Sequence, residues 1–341
     1  MVQSTNNPKA KHQAQGGVTR RDAFALAPAG ALLAAGAVGG ATVLAPTSAL
    51  AAAAKQAPAF HRRRVGEAIV TAIGDGYIEM KPEFWPGTTE EEIAAAKAAG
   101  IVPVDQPLFS SINAHVIEVG GKTIAVGAGS ADLFGDVAGH YLANLDAAGI
   151  DPKSVDMVFA THFHPDHIGG LIIDGANIFP NAELVASQVE YEFWTSETNK
   201  ANAPDAFKSL FDLAIGVTKV YDGKTKLVGG DDDLGNGLSA VSLAGHTPGH
   251  TGIMIDSGGS QMMLWSDVCH NVTLQLPEPT RGISFDADPE AAAQTRIAAF
   301  DRVSADKLMV AGAHLPFPGF GFISKEAGVY RYHPAPWDHR L

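Results

Sequence analysis

The chain has 341 residues, 46% of them hydrophobic, with 24 basic against 37 acidic side chains and a formal net charge of −13. That length and apolar content support a large buried core in one or two domains, while the acidic balance excludes a basic groove for nucleic acid and repels anionic membrane surfaces. One cysteine, Cys269, excludes an intramolecular disulfide and reads as a small buried hydrophobe.

Residues 1–51 begin polar and basic, run through Thr19-Arg20-Arg21-Asp22-Ala23-Phe24 into an Ala/Gly/Leu-rich stretch, and close on Ala49-Leu50-Ala51. A basic start, an apolar middle and an A-x-A site are the layout of a cleaved export signal. The adjacent arginines resemble the twin-arginine type, with the phenylalanine one place later than usual. The expectation is a periplasmic or secreted protein, not membrane-attached after processing. Removing four basic residues and one acidic residue takes the charge from −13 to −16. The remainder, 52–341, reads as one domain with an N-terminal extension over about 52–110.

Apolar and β-branched residues predict strands over Arg64–Ile73 and Ile112–Val126, the second pair turning at Gly120-Gly121. Between them Thr88-Thr89-Glu90-Glu91-Glu92 is a capping-box-like start for a short Ala-rich helix closed by Gly100, a cover beside the site. Asp136–Ala148 places Val137, Tyr141, Leu142 and Leu145 on one helical face. Val155–Ala160 predicts a buried strand, and Asp288-Pro289 opens a helix reaching about Val303. Asp231-Asp232-Asp233 reads as a solvated loop.

Directly after the Val155–Ala160 strand stands Thr161-His162-Phe163-His164-Pro165-Asp166-His167. Imidazole nitrogen and carboxylate oxygen are the ligand set of zinc and its first-row neighbours. Further candidates follow at later strand ends: Gly245-His246-Thr247-Pro248-Gly249-His250, Asp267 after Met262–Trp265, and His314 after Leu308–Ala311. Histidines such as His61, His115 and His140 read as ordinary core or surface residues.

HxHxDH, then GHTPGH, then an aspartate and a last histidine resemble the metallo-β-lactamase-fold hydrolases from about Ile112 to His333. The resemblance implies an α/β (α+β) αββα sandwich with the site at a sheet edge. It assigns His162, His164 and His246 to one metal, Asp166, His167 and His314 to the other, and Asp267 as the bridge; His250 is left outside the ligand set. Two divalent ions are implied, zinc first, with manganese, cobalt or iron as alternatives. Paired cations about 3.5–4 Å apart activate a shared water and polarise the group it attacks, so the expected reaction is hydrolysis, with Asp166 placed to pass a proton to the leaving group. The chain has no Gly-x-Ser-x-Gly elbow. Where relatives carry an aspartate that supports a ligand, this chain has Gly127, leaving Asp132 or a water for that role.

Ala131–Gly135, Glu192-Phe193-Trp194, Lys200–Pro204 and Ala313–Gly319 are similar to the subgroup of methyl parathion hydrolase and related exported lactone and ester hydrolases. That likeness implies a small neutral or acyl-bearing substrate in an apolar pocket lined by Phe134 and Trp194, and a homodimer. At the position where lactonases of this fold carry a tyrosine that polarises the carbonyl stands His270, read as both catalytic and pocket-lining. The expected substrate is a lactone or carboxylic ester, with phosphotriester cleavage as a side activity. An organophosphate hydrolase is one alternative, and a catalytically weak metal- or ligand-binding protein of the same fold is another.

Overall fold

Near-continuous apolar strands need cover on both faces, and here two sheets cover each other while helices cover the outside. The computed structural model describes residues 56–339 and Leu341; the expected export signal lies outside the described residues. The first sheet contains β1 (Phe60–Val65), β2 (Ala68–Met80), β3 (Leu108–Val119), β4 (Lys122–Val126) and β5 (Met157–Ala160). After a small hairpin of β6 (Ile172–Ile173) and β7 (Ala176–Asn177), β8 (Glu183–Ser187) and β9 (Thr225–Val228) complete it in the order β1-β2-β3-β4-β5-β8-β9. The second sheet runs in sequence order through β10 (Asp233–Gly235), β11 (Leu238–Ser242), β12 (Thr251–Ser257), β13 (Ser260–Ser266), β14 (Met309–Gly312), β15 (Phe320–Glu326) and β16 (Val329–Pro334). Residues 57–341 form one compact unit.

Side-chain alternation sorts the layers. Ile117, Ile124, Phe159 and Val185 of the first sheet meet Ile253, Ile255, Met262 and Leu264 of the second in the central core. Their sequence neighbours Val116, Val158 and Leu184 face outward instead, against helices α2 (Tyr141–Ala147) and α6 (Asp205–Val220). On the other side Met263, Trp265 and Val310 pack under Phe300 and Val303 of α8 (Pro289–Ala305). Burying each such side chain contributes about 1.5–3 kcal/mol.

Helix α1 (Glu90–Ala99) starts at the expected capping box: Glu92 N donates to Thr89 Oγ1, and Thr89 N donates to Glu92 Oε2 at 2.7 Å. Its Ile93, with Trp85, packs on Leu274 and Ile283, so the insertion does form a cover. The β3–β4 hairpin turns at Gly120-Gly121 as expected, with Val119 opposite Lys122.

Two expectations need correction. Arg64–Ile73 is not one strand, because the chain reverses between Val65 and Ala68 and the segment spans the end of β1 and the start of β2. The helix expected over 136–148 starts only at Tyr141. Gly139 sits at φ +86°, and a Cβ there would lie 2.2 Å from Ala131 O, so the backbone loops before the helix begins. Tyr141 and Leu145 are buried as expected, while Val137 lies in the preceding 3-10 turn and is exposed.

Candidate metal centre

Strands β5, β11, β13 and β14 lead into one rim, where backbone bonds tie the sheets together: Thr251 N to Thr161 O (2.9 Å) and Asn113 N to Ala313 O (2.8 Å). Just beyond β5, Pro165 at the first helical position opens the one-turn helix α3 (Pro165–Ile168) and brings Asp166 and His167 back beside His162 and His164. At the end of β13 the ladder bulges and Ser266 takes φ 50°. That left-handed conformation costs a non-glycine residue about 1–3 kcal/mol; it turns Asp267 toward the histidines, and Ser266 Oγ donates to Asp267 Oδ1 at 3.0 Å.

Asp267 is the hub. Its Oδ2 lies 3.0 Å from His314 Nε2, 3.4 Å from His246 Nε2 and 3.6 Å from His162 Nε2, and its Oδ1 lies 3.1 Å from His167 Nε2. Asp166 Oδ2 stands 3.3 Å from His314 Nε2 and 3.5 Å from His167 Nε2, and His164 Nδ1 is 3.0 Å from His246 Nε2. Ligand atoms about 2.0–2.1 Å from a tetrahedral zinc are separated from each other by about 3.4 Å, which is the spacing seen here. The structure gathers His162, His164 and His246 into one group and Asp166, His167, Asp267 and His314 into another, with ligand atoms within 4.8 Å of one another. His162 Nε2 is buried without a hydrogen-bond partner, and His167 Nε2, though 3.1 Å from Asp267 Oδ1, makes no well-directed hydrogen bond to it. Such orphans are rare in folded proteins, and a cation would satisfy both, so the donor set fits a pair of first-row metals.

The family description Metallo-beta-lactamase superfamily matches residues 108–314. The chain belongs to the metallo-β-lactamase superfamily. Among curated relatives, it is 28% identical over 178 residues to the N-acyl homoserine lactonase AttM of Azorhizobium caulinodans, covering 45% of this chain and 60% of that protein. It is 31% identical over 122 residues to metallo-beta-lactamase domain-containing protein 1 of Xenopus laevis, covering 34% of this chain and 39% of that one. The matches thus span less than two thirds of either relative. Among solved structures it resembles the hydrolase AbOPH of the beta lactamase superfamily, with a TM-score of 0.79 and 29% identity over 83% of this chain and all of that one. It also resembles AidC, a dizinc quorum-quenching lactonase in complex with a homoserine product, with a TM-score of 0.77 and 25% identity over 82% of this chain and 99% of that one.

Within this metallo-β-lactamase fold the buried charges balance one another. Burial works against protonating His167, but the carboxylates of Asp267 and Asp166 outweigh it and hold its pKa up at about 10; His314 is raised for the same reasons. Burial likewise opposes ionising Asp267 and Asp166, yet the facing imidazoles, His167 first, keep both carboxyls below their usual range. Burial, then neighbouring imidazoles, lowers His162 and His164. His250 stands within ligand distance of His162 and Asp267, but both its ring nitrogens are engaged: Asp267 N donates to its Nε2 at 3.3 Å, and its Nδ1 lies 2.9 Å from Leu243 O. Burial lowers its pKa to about 3, so it stays neutral.

A cavity of about 630 Å³ opens on the cluster, floored by His164, Asp166, His246, Asp267, His270 and His314 and walled by Phe84, Phe134, Phe207 and Phe285. Phe134 is where the sequence reading put it. Trp194, on α4 (Gln188–Trp194) with Nε1 donating to Glu190 Oε1 at 2.6 Å, lines an adjoining cavity of about 440 Å³ that shares His164, Phe207 and Phe285 with the first. His270 lines the main cavity with its Nε2 3.4 Å from Asp267 Oδ2 and neither ring nitrogen in a well-directed hydrogen bond, its ring stacked 5.0 Å from that of His314. Burial pushes its pKa down to about 4.

Three supports escaped the sequence reading. Asp286 Oδ1 lies 2.8 Å from His246 Nδ1, and its Oδ2 lies 3.6 Å from the buried Arg296. Glu190, fully buried, accepts from Phe163 N, Trp194 Nε1, Thr247 Oγ1 and Gly249 N, and so joins the two histidine-bearing loops. Gln275 Oε1 accepts from His270 N at 2.7 Å. Of these, the Glu190/Trp194 pair had a local signal, being four apart on one helix. Asp132, expected as a stand-in beside Gly127, is exposed.

Proposed function

We propose that the chain is a dinuclear metal-dependent hydrolase of lactones or carboxylic esters, with phosphotriester cleavage as a secondary activity. The observation that carries this reading is the cavity: its walls are mainly apolar, with Phe84, Phe134, Phe207 and Phe285 among them, and its floor is the histidine–aspartate cluster, which includes the neutral His270. Apolar walls with a few convergent polar groups suit a neutral substrate with an acyl or aryl arm. The relatives named as lactonases support the same class.

His162, His164 and His246 would hold one ion, Asp166, His167 and His314 the other, and Asp267 would reach both; zinc suits this nitrogen and oxygen set best. When bound, the two cations supply a nucleophile at neutral pH and polarise the carbonyl. The protein's own groups do the rest. Phe134 and Phe285 shield the acyl or aryl arm from water. His270, neutral and buried beside Asp267, offers a ring N–H to the oxygen on which charge develops. Asp166, at the cavity floor, relays a proton to the departing oxygen.

The test is steady-state kinetics of metal-loaded protein on a panel of an N-acyl homoserine lactone, an aryl ester, a phosphotriester and a cephalosporin. The expected result is the highest kcat/KM on the lactone or ester, abolished by chelation. A clear preference for the phosphotriester would transfer the assignment to organophosphate hydrolysis, and no turnover of any substrate would leave a metal- or ligand-binding protein.

A further inference from the structure

The imidazoles of the cluster are not held equally well from behind. His246 Nδ1 has Asp286 at 2.8 Å, His314 Nδ1 has the Ser111 carbonyl at 2.8 Å, and His162 Nδ1 has Thr161 Oγ1 at 3.2 Å. His167 Nδ1 has only a long contact to the same Thr161 hydroxyl, 3.5 Å, among the described residues. A metal-ligating imidazole normally gives its other N–H to a firm acceptor, which fixes both its tautomer and its ring orientation.

His167 also lines a small chamber of about 10 Å³, whose other polar lining residues are Asn113, His115, Thr161 and Ser266. It shares no lining residue with the 630 Å³ cavity. Two of its polar atoms, Asn113 Oδ1 and His115 Nε2, are buried without a hydrogen-bond partner, on residues only 4% exposed. The Asn113 amide cannot be turned round to relieve this, because its Nδ2 already donates to Gly312 O (3.2 Å) and Leu315 O (2.8 Å). A space of about 10–15 Å³ with two to four polar partners is what a single buried water requires.

We propose that this chamber holds one structural water, and that through it His115 and Asn113 position the metal ligand His167. The donor count closes. The water donates one hydrogen to Asn113 Oδ1 and the other to His115 Nε2, which accepts in the neutral tautomer that carries its proton on Nδ1; burial keeps that imidazole neutral. Its oxygen then accepts from His167 Nδ1, leaving the His167 Nε2 lone pair directed at the metal. His115, an ordinary core histidine by sequence, becomes a positioning residue.

The test reads metal binding rather than turnover, by titrating metal-free protein with Co²⁺ and following its visible absorption. His115→Leu should weaken one of two binding steps by about 10–100-fold and leave the other unchanged, while His115→Gln, which keeps a polar atom facing the chamber, should bind nearly as the parent does. Gly127→Asp supplies a rescue: the position has φ +72°, which aspartate tolerates better than most residues, and an added Cβ meets nothing closer than 3.7 Å while lying 3.9 Å from His167 Nδ1. In the His115→Leu background it should restore the weakened step. Unchanged binding in His115→Leu, or equal weakening of both steps without rescue by Gly127→Asp, overturns the proposal. A high-resolution crystal structure of the metal-loaded parent tests it without any variant. A water within hydrogen-bond distance of both His115 Nε2 and His167 Nδ1 supports the proposal, and a dry chamber overturns it.

Discussion

Replacing Asp286 by asparagine keeps the shape of the residue behind His246 and removes its charge. Burial raises this carboxyl's pKa, but the hydrogen bond and charge of His246, with His270 and Arg296 behind, outweigh that and hold it at about 2. A displacement from 3.8 to about 2 is worth on the order of 2 kcal/mol. The sign follows from the depression: this stability is fully present above the unfolded value near 4 and is lost as pH falls through about 2, so at pH 7 all of it is at stake. Breaking a buried ion pair from one side costs about 3–5 kcal/mol. Arg296, however, keeps the carbonyls of Val268, Pro279 and Arg281 as acceptors, which softens the loss. Asp286→Asn should therefore destabilise the metal-free protein by about 2–3 kcal/mol at pH 7. It should also lower metal affinity about 10–100-fold, because His246 loses its anionic acceptor. Urea unfolding of the metal-free protein and competition against a chromogenic chelator measure the two effects. A stability loss with unaltered metal affinity would refute the claim that Asp286 orients a ligand.

His270→Leu should lower kcat on a lactone by about 10-fold or more with little change in KM, since the lost donor acts on charge that appears in the transition state; equal losses on lactone and phosphotriester would make His270 structural. Buried neutral His115, its pKa lowered to about 4 chiefly by burial, should make the metal-free protein acid-sensitive. As pH falls from about 6.5 the unfolded chain takes up a proton the folded one refuses, removing on the order of 2 kcal/mol by pH 5; urea unfolding of His115→Leu between pH 7 and 5 should show a shallower decline, and an identical slope would contradict the assignment. In the native host, mass spectrometry should find an amino terminus near Ala52, and Arg20→Lys with Arg21→Lys should block export if the route is twin-arginine.

What was legible in the sequence was local. HxHxDH announces itself because four ligand-type side chains fall within six residues of a strand end, and His246, Asp267 and His314 follow strands whose apolar runs are equally plain. The sandwich came only with the family resemblance that those motifs carry; the runs themselves show strands with no polar face to give to water. The supports were illegible for the opposite reason. Asp286 lies 40 residues from His246, and Asn113 lies about 200 residues from the carbonyls it binds, so each looks in sequence like any loop or strand polar residue. Val137 was misplaced because a hydrophobic periodicity cannot register the close approach of Gly139 to Ala131 O. That Trp194 is held by the buried Glu190 one turn before it, and lines the adjoining cavity rather than the main one, is likewise a contact the sequence pattern does not register.

The central claim is that one cluster holds two metal ions and that together they make this fold a lactone or ester hydrolase. Stepwise titration of metal-free protein with Zn²⁺, following bound metal and N-acyl homoserine lactone hydrolysis in the same samples, tests it most directly. The account predicts saturation at two ions per chain, with full activity reached only as the second site fills. Saturation at one ion, or lactone turnover indifferent to metal, would contradict it.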